Sequence, residues 1–306
     1  MVQDLVVPFV FNVPLRRRNT STVRQKMKKI LLLIATCALL MGAVSCGDDE
    51  PKRGDGVFTV NTPMVNHMYN TLTDNIVGLS RTHNKLTIDT VKHTATLELA
   101  YNDGSEKTLK LDDLKAQPKR LGFYELSSSS YSQFSGYVDF NEGAMRYRFT
   151  TPEGLRVIST TPEVFFLKTQ NTIEYDDTTK TTVMENAMYQ FTVDPNSLKA
   201  TVKVMDIVHI KDWRYFISIT GNSVPVTLTP NGYIVAGENI KTNALYRAHN
   251  DSIHASPGVM STDKYPFKTF NADVDLVNDH LNATFMMGGS ATVTATGRTY
   301  PDYTAY

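Results

Sequence analysis

The sequence predicts a mainly β protein made of two tandem antiparallel domains, each a β-sandwich or a barrel-like sheet, and three observations predict it. Runs rich in Thr, Val, Tyr, Ile and Phe recur about every 8 to 12 residues beyond residue 56, the spacing of short strands. Turn chemistry separates them, at Asn102-Asp103-Gly104, Glu142-Gly143, Pro152-Glu153-Gly154, Asn231-Gly232 and Gly288-Gly289. The pattern also recurs at long range, as a duplicated unit would.

Two blocks carry that weak internal repeat. Leu86-Thr87-Ile88-Asp89 through Leu99 aligns without gaps with Phe191-Thr192-Val193-Asp194 through Val204, at an offset of 105 residues. Val138-Asp139-Phe140 through Phe149 aligns with Val274-Asp275-Leu276 through Phe285, at an offset of 136. The difference places about 31 extra residues in the second half, and the polar, weakly periodic stretch 239–266 is the expected inserted loop. The domains are accordingly expected at 57–165 and 166–306. Identity between the halves is low, so a hairpin grammar shared without duplication is the alternative. The Asp in each block stands where a strand enters its turn, and there its side chain can bond its own backbone. Asp89, Asp139, Asp194 and Asp275 are therefore read as turn residues before calcium ligands or catalysts.

Three elements are predicted individually. A short helix is expected near residues 63–77: Thr62 can cap it, Pro63 suits its first position, and Val65, Met68, Tyr69, Leu72 and Ile76 recur at helical spacing. A hairpin is expected where 224–229 and 233–236 flank Pro230-Asn231-Gly232, with Asn-Gly supplying the positive dihedrals of a type I′ turn. Ala291 to Thr296 alternates small apolar residues with threonine, as a strand with one buried face does.

The N-terminus reads as an address. From Met27, two lysines precede an apolar run of 15 residues, Ile30 to Val44, and small residues surround Ser45-Cys46, so residues 27–45 have the grammar of a cleaved signal peptide. The run is shorter than the roughly 20 residues of a spanning helix. Ala43-Val44-Ser45-Cys46 resembles a lipobox, with Ala43 in place of the usual Leu, which makes Cys46 the lipidation site and the membrane a partner through that lipid; cleavage near Ser45 without acylation is the alternative. Residues 1–26 lie upstream of a complete signal and are read as a mis-assigned start. Residues 46–56 form a polar, acidic tether beginning Gly47-Asp48-Asp49-Glu50, either a solvated spacer or a surface-export signal.

Charge and cysteine content narrow the function classes. Lys+Arg and Asp+Glu balance at 31 each, but residues 1–45 hold seven of the basic residues and only Asp4. The remainder is mildly acidic, which disfavours nucleic acid and, by the same count, anionic headgroups. The two cysteines, Cys37 and Cys46, both sit in or beside the apolar run, so neither a disulfide framework nor a metal cluster is expected. Phosphate loops, nucleophile elbows, His-Glu-x-x-His pairs and dinucleotide fingerprints are missing from the sequence. No enzyme activity, catalytic residue, metal or cofactor is therefore assigned. His249 and His254 with Asp251, and the pairs Asp112-Asp113 and Asp176-Asp177, stand in polar stretches where solvation explains them. Trp213 and Tyr215 lie in the aromatic run 213–216 and are the candidate glycan contacts, against the plainer reading that they pack between sheets.

With the lipobox, the acidic tether, the hairpin at Gly232 and the closing run from Tyr265-Pro266 to Ala295-Thr296-Gly297 in view, the chain resembles uncharacterised β-rich lipoproteins of Bacteroidetes, described as domains of unknown function. The likeness spans most of residues 27–306 and implies an outer-membrane, lipid-anchored location, exposed at the cell surface, and a β fold; it implies no activity. It also implies O-glycosylation at Asp-Ser/Thr motifs, for which Thr90, Thr178 and Ser252 are the candidates. The expected role is binding or structural. A glycan-binding accessory of a polysaccharide-uptake system and a fimbrial or adhesin-type subunit are the alternatives, so the expected partner beyond the membrane is a glycan or a protein.

Overall fold

The computed structural model describes residues 56–131, 133–141, 143–175, 181–209, 214–248, 260–288 and 291–298. The first eight strands are β1 (Val57–Asn70), β2 (Asn75–Asp89), β3 (Thr94–Asn102), β4 (Glu106–Arg120), β5 (Phe123–Ser128), β6 (Ser135–Asp139), β7 (Ala144–Thr150) and β8 (Leu155–Thr160). Each pairs antiparallel with the next, and β1 pairs with β8, so the sheet closes into a barrel. The chain continues through β9 (Glu163–Tyr175), β10 (Thr181–Asp194), β11 (Lys199–His209), β12 (Arg214–Thr229), β13 (Gly232–Ile240), β14 (Thr242–Ala248), β15 (Met260–Thr262), β16 (Phe267–Asp275), β17 (His280–Met287) and β18 (Ala291–Arg298). Here β9 pairs with β18 and β11 with β12, which closes a second eight-stranded barrel and leaves β14 and β15 outside the ring on the edge of β12. Closure removes the sheet edges that two sandwiches would have kept.

The two barrels are copies in register. The pairs Asn66↔Ser159 and Arg148↔Ile158 of the first match Asn171↔Ala295 and Thr284↔Thr294 of the second, which is an offset of 105 at the β1 and β9 end and 136 at the β7 and β17 end. Turn contacts are duplicated as well. Phe140 N–H donates to Gly122 O and Leu276 N–H to Asn231 O, both at 2.8 Å; Ala116 N–H donates to His93 O at 2.8 Å and Val226 N–H to Leu198 O at 2.9 Å. The repeat is therefore structural, and the hairpin β14–β15 falls between β13 and β16, where the second copy has residues that the first lacks.

One turn recurs throughout. Asn70, Asp89, Asp139, Asp194 and Asp275 each end a strand that pairs with the residue five positions on. In each case Oδ1 accepts the backbone N–H two residues later, from Leu72, Val91, Asn141, Asn196 and Val277, at 2.9 to 3.1 Å. The fourth loop residue then takes a left-handed conformation, at Asp74, His93, Gly143, Leu198 and Asp279, which reverses the chain.

Side chains fill both interiors, as an eight-stranded ring requires. Met64, Leu86, Leu97, Leu99, Tyr147 and Phe149 centre the first core; Phe166, Tyr189, Phe191, Phe267, Phe270 and Phe285 centre the second. Each also buries an asparagine at the same repeat position. Asn66 donates to Thr82 Oγ1 at 2.8 Å; Asn171 donates to Thr169 Oγ1 at 2.8 Å and accepts from the Tyr189 hydroxyl at 2.6 Å.

Two local expectations are corrected. The segment near 63–77 is no helix: it is the end of β1, the turn 71–74 and the start of β2. Residues 64–68 are buried on both faces, inward to the barrel core and outward against the second barrel, and a register shift between Met68 and Tyr69 breaks the period of two. Together these imitate helical spacing. Pro63 is tolerated because β1 there pairs with β2 alone; its pairing with β8 begins at Val65. The β12–β13 hairpin forms, but its two-residue loop is Pro230-Asn231, and neither Asn231 nor Gly232 has the positive φ of a type I′ turn. Gly232 is instead the first residue of β13, where a Cβ would stand 2.0 Å from Val274 O. It is glycine because β16 approaches so closely.

Candidate functional site

The residues singled out from the sequence do not converge. Thr90 is only 7% exposed; its hydroxyl donates to Gly56 O at 3.2 Å and accepts Gly56 N–H at 3.1 Å. A glycan on that oxygen would displace both contacts, which counts against Thr90 as an acceptor in the folded protein. Tyr215 is half-buried on β12, and its hydroxyl donates to Asp206 Oδ1. Partial burial and that carboxylate push the phenol up to about 12. With its polar end committed, Tyr215 is braced against its own sheet. Cys46, Thr178, Trp213, Ser252, His249, Asp251, His254 and the pair Asp176-Asp177 lie outside the described residues. Ser130, through its side chain and its N–H, and then the hydroxyls of Ser128 and Ser129 hold the Asp113 carboxyl well below the usual range and make it a loop brace. Among the described residues, no three His, Cys, Asp or Glu side chains gather as metal ligands would.

The structure brings together a different set. The outer face of β1, β7 and β8 carries His67, Arg146, Arg148, Ile158 and Arg156, with Ile158 the register partner of both His67 and Arg148, and the turns β12–β13 and β16–β17 of the second barrel seat on it. Arg156 Nη2 donates to Pro230 O at 2.6 Å, Arg148 Nη1 donates to Val277 O at 3.0 Å, and Arg146 pairs with Asp279. His67 donates from Nε2 to Thr229 O at 2.8 Å. A carbonyl accepts only, so Nε2 carries the proton, and burial holds the ring neutral by pushing its pKa down to about 4. Ile158, fully buried, packs outward into the second core, and Leu79 packs beside it. This seam makes the two barrels one compact body.

Among the described residues, two other surfaces stand out. At one end of the first barrel, Val57, Phe58, Val91, Leu121 and Phe140 are exposed around the turns β2–β3, β4–β5 and β6–β7. Phe140 contacts Phe58 and half-buried Tyr124 with ring centroids 6.2 and 6.0 Å apart, tilted at 46° and 71°. On the second barrel, β14 lies paired along β12, with Phe216, Tyr246 and Tyr265 packed together beneath the hairpin β14–β15.

No family model and no curated protein matches the sequence. Among solved structures, the chain is similar to the isotype 1 transferrin binding protein B of serogroup B Neisseria meningitidis, with a TM-score of 0.24 and 10% identity over 77% of this chain. The chain spans 43% of that protein's length. A TM-score of this size is too low to argue a common fold or a common partner.

Sequence reasoning missed both the seam and the exposed rim. The seam had a local signal: Arg146, Arg148 and Arg156 face Asn282, Thr284 and Thr292 at an offset of 136, a run of cations in one copy against neutral residues in the other. The rim had none, because its residues come from four separate stretches of chain.

Proposed function

We propose that this chain is a lipid-anchored cell-envelope protein, held by acyl chains on Cys46 at the outer membrane with its body facing outward, and that its role is binding rather than catalysis. The observation that carries the anchor is the apolar run Ile30 to Val44 ending in Ala43-Val44-Ser45-Cys46, preceded by Lys28 and Lys29. A diacylglyceryl thioether and an N-acyl chain at about 0.8 kcal/mol per buried methylene hold a protein on a membrane without appreciable release. Synthesis begins at Met27 on this reading, the acidic tether directs outward exposure, and kinship with β-rich Bacteroidetes lipoproteins is part of the same proposal.

The binding surface we assign is the hairpin β14–β15 and the aromatic cluster beneath it, with a protein as the partner. What supports it is the asymmetry of the repeat. A duplicated scaffold keeps its strands and turns, and the element that one copy adds is where a function is grafted. Among the described strands, β15 is the last of the ten-stranded sheet, an edge where an extended segment can pair.

Metabolic labelling with a clickable fatty acid tests the anchor. The wild-type protein is expected to be labelled and to sediment with membranes; Cys46→Ala is expected to be unlabelled and soluble. An unlabelled wild-type protein, or unchanged fractionation of Cys46→Ala, overturns the reading. Protease shaving of intact cells tests the exposure, and full protection of the body contradicts it.

A further inference from the structure

Seven large apolar side chains of the first barrel are exposed, and five of them lie at one end: Val57, Phe58, Val91, Leu121 and Phe140. Leu121 is 79% exposed and Val57 64%, and the five are grouped at one end rather than scattered singly. At the same end of the second barrel the turns β12–β13 and β16–β17 meet the first barrel, while the turn β10–β11 stays exposed. There the repeat partner of Phe140 is Leu276, which is 2% exposed, and the turn equivalent to Leu121-Gly122 is Pro230-Asn231, seated on the wall of the first barrel. The fold thus contains two copies of one rim, the second docked through two of its turns and the first bare.

We infer that the bare rim seats on the membrane surface, its apolar tips entering the headgroup layer; the inference rests on the anchor at Cys46 proposed above. The chain enters the barrel at this rim, because Val57 opens β1. Eleven residues from Cys46 to Val57 span at most roughly 40 Å even when fully extended, so an acylated Cys46 would hold this end of the molecule within that distance of the bilayer. The tips are built to protrude. Phe140 N–H donates to Gly122 O at 2.8 Å, Asn141 Nδ2 donates to Leu121 O at 2.6 Å, and Arg120 pairs with Asp139, so the exposed side chains stand on a braced double turn and little ordering is left to be done on contact. Lys92 and Lys119 flank them, paired with Asp89 at 3.4 Å and Glu125 at 2.8 Å, so the charges beside the tips are balanced.

Other occupants fit less well. Phe140 is tilted against both Phe58 and Tyr124, so the three form no single flat face for a sugar ring. A second copy would have to offer a wall like that of the first barrel, and the only free copy of that wall, on the second barrel, has Thr172, Asn282, Thr284 and Thr292 where the first has His67, Arg146, Arg148 and Arg156. Attraction by charge is also minor, since the body beyond residue 45 has 24 basic and 30 acidic residues. The docking is apolar.

The test places an environment-sensitive fluorophore on Leu121→Cys and, separately, on Val183→Cys of the second barrel, which is 55% exposed. Each protein, processed to begin at residue 46, is reconstituted through its own acyl chains in vesicles of phosphatidylethanolamine and phosphatidylglycerol. A parallel form with Cys46 replaced by a hexahistidine is held on the same vesicles by nickel-chelating lipid. In the parallel form the Leu121 label is expected to shift to the blue and lose intensity to brominated lipids, while the Val183 label stays water-like. A water-like Leu121 label there overturns the proposal, as does a shift that appears without vesicles and grows with protein concentration, which would mark a second copy as the occupant. Mass analysis of the native protein reports acylation separately, so loss of the anchor reading and loss of the rim reading are told apart.

Discussion

Two turns of the second barrel end on a wall and their counterparts in the first end in the open, though the two rims are built alike. Both use an Asp-led four-residue turn braced to the neighbouring two-residue turn by one backbone hydrogen bond of 2.8 Å. What separates them is the surface presented to each. His67, Arg146, Arg148 and Arg156 supply donors to the carbonyls and the carboxylate of the docked rim, and the equivalent wall of the second barrel has no cation at those four positions. The lesson is that duplication fixes strands, registers and turns, whereas a few outward-facing side chains decide which copy becomes the platform for the other.

The largest expected effect comes from the tightest point of the second barrel. Gly232→Ala puts a methyl 2.0 Å from Val274 O and is expected to cost about 3 kcal/mol or more, because backbone rather than a side chain must move. In the first barrel, Gly143→Ala meets open space and only the cost of its positive φ, on the order of 1 kcal/mol. Denaturant melts of the two variants compare them directly, and equal losses would mean that the close approach of β13 and β16 is not as described.

The seam should be sensitive to acid. The unfolded chain takes up a proton on His67 near pH 6.5, the folded one only near pH 4, so the unfolded state gains protons first as pH falls. The contribution of this histidine to stability is complete above about pH 6.5 and is lost progressively toward pH 4, by roughly 3 kcal/mol in all. His67→Gln keeps an N–H donor without the titration, and the difference between its pH profile and that of the wild type should be this slope; superimposable profiles would contradict a buried neutral ring.

Smaller effects separate the paired turns. Asp139 is fully buried and pairs with Arg120 as well as capping its turn, so Asp139→Ala is expected to cost about 2 kcal/mol. Its repeat partner Asp275 bonds only within its own turn and toward Asn231, and Asp275→Ala should cost less by the same thermal or chemical melt. Smallest of all, Leu198 holds φ 49°, a conformation that penalises a Cβ, and Leu198→Gly is expected to raise stability by up to about 1 kcal/mol.

Much of this was legible from residue order because the governing interactions are local. An Asp that bonds the N–H two residues on leaves a recognisable pattern, and Asp89, Asp139, Asp194 and Asp275 all do so. The repeat was legible for the same reason. β1 was misread because tertiary burial on both faces overrode the alternation that marks a strand, and Gly232 because its constraint comes from β16, some 40 residues away in the chain. Neither the wall nor the rim could be found from pattern alone, since strand alternation says which residues point outward but not which outward face is covered. Trp213 and Tyr215 illustrate the limit on the site: an aromatic run marks a place worth inspecting, and Tyr215 proves to be tied to Asp206.

The contrast between the rims is open to one direct measurement. Phe140→Cys and Leu276→Cys occupy the same position in the two copies, and their rates of modification by a maleimide in the native protein can be read peptide by peptide with mass spectrometry. The account predicts rapid labelling at 140 and protection at 276 until denaturant is added. Equal labelling at both would mean that the second barrel does not rest on the first, and the comparison on which everything above depends would fail.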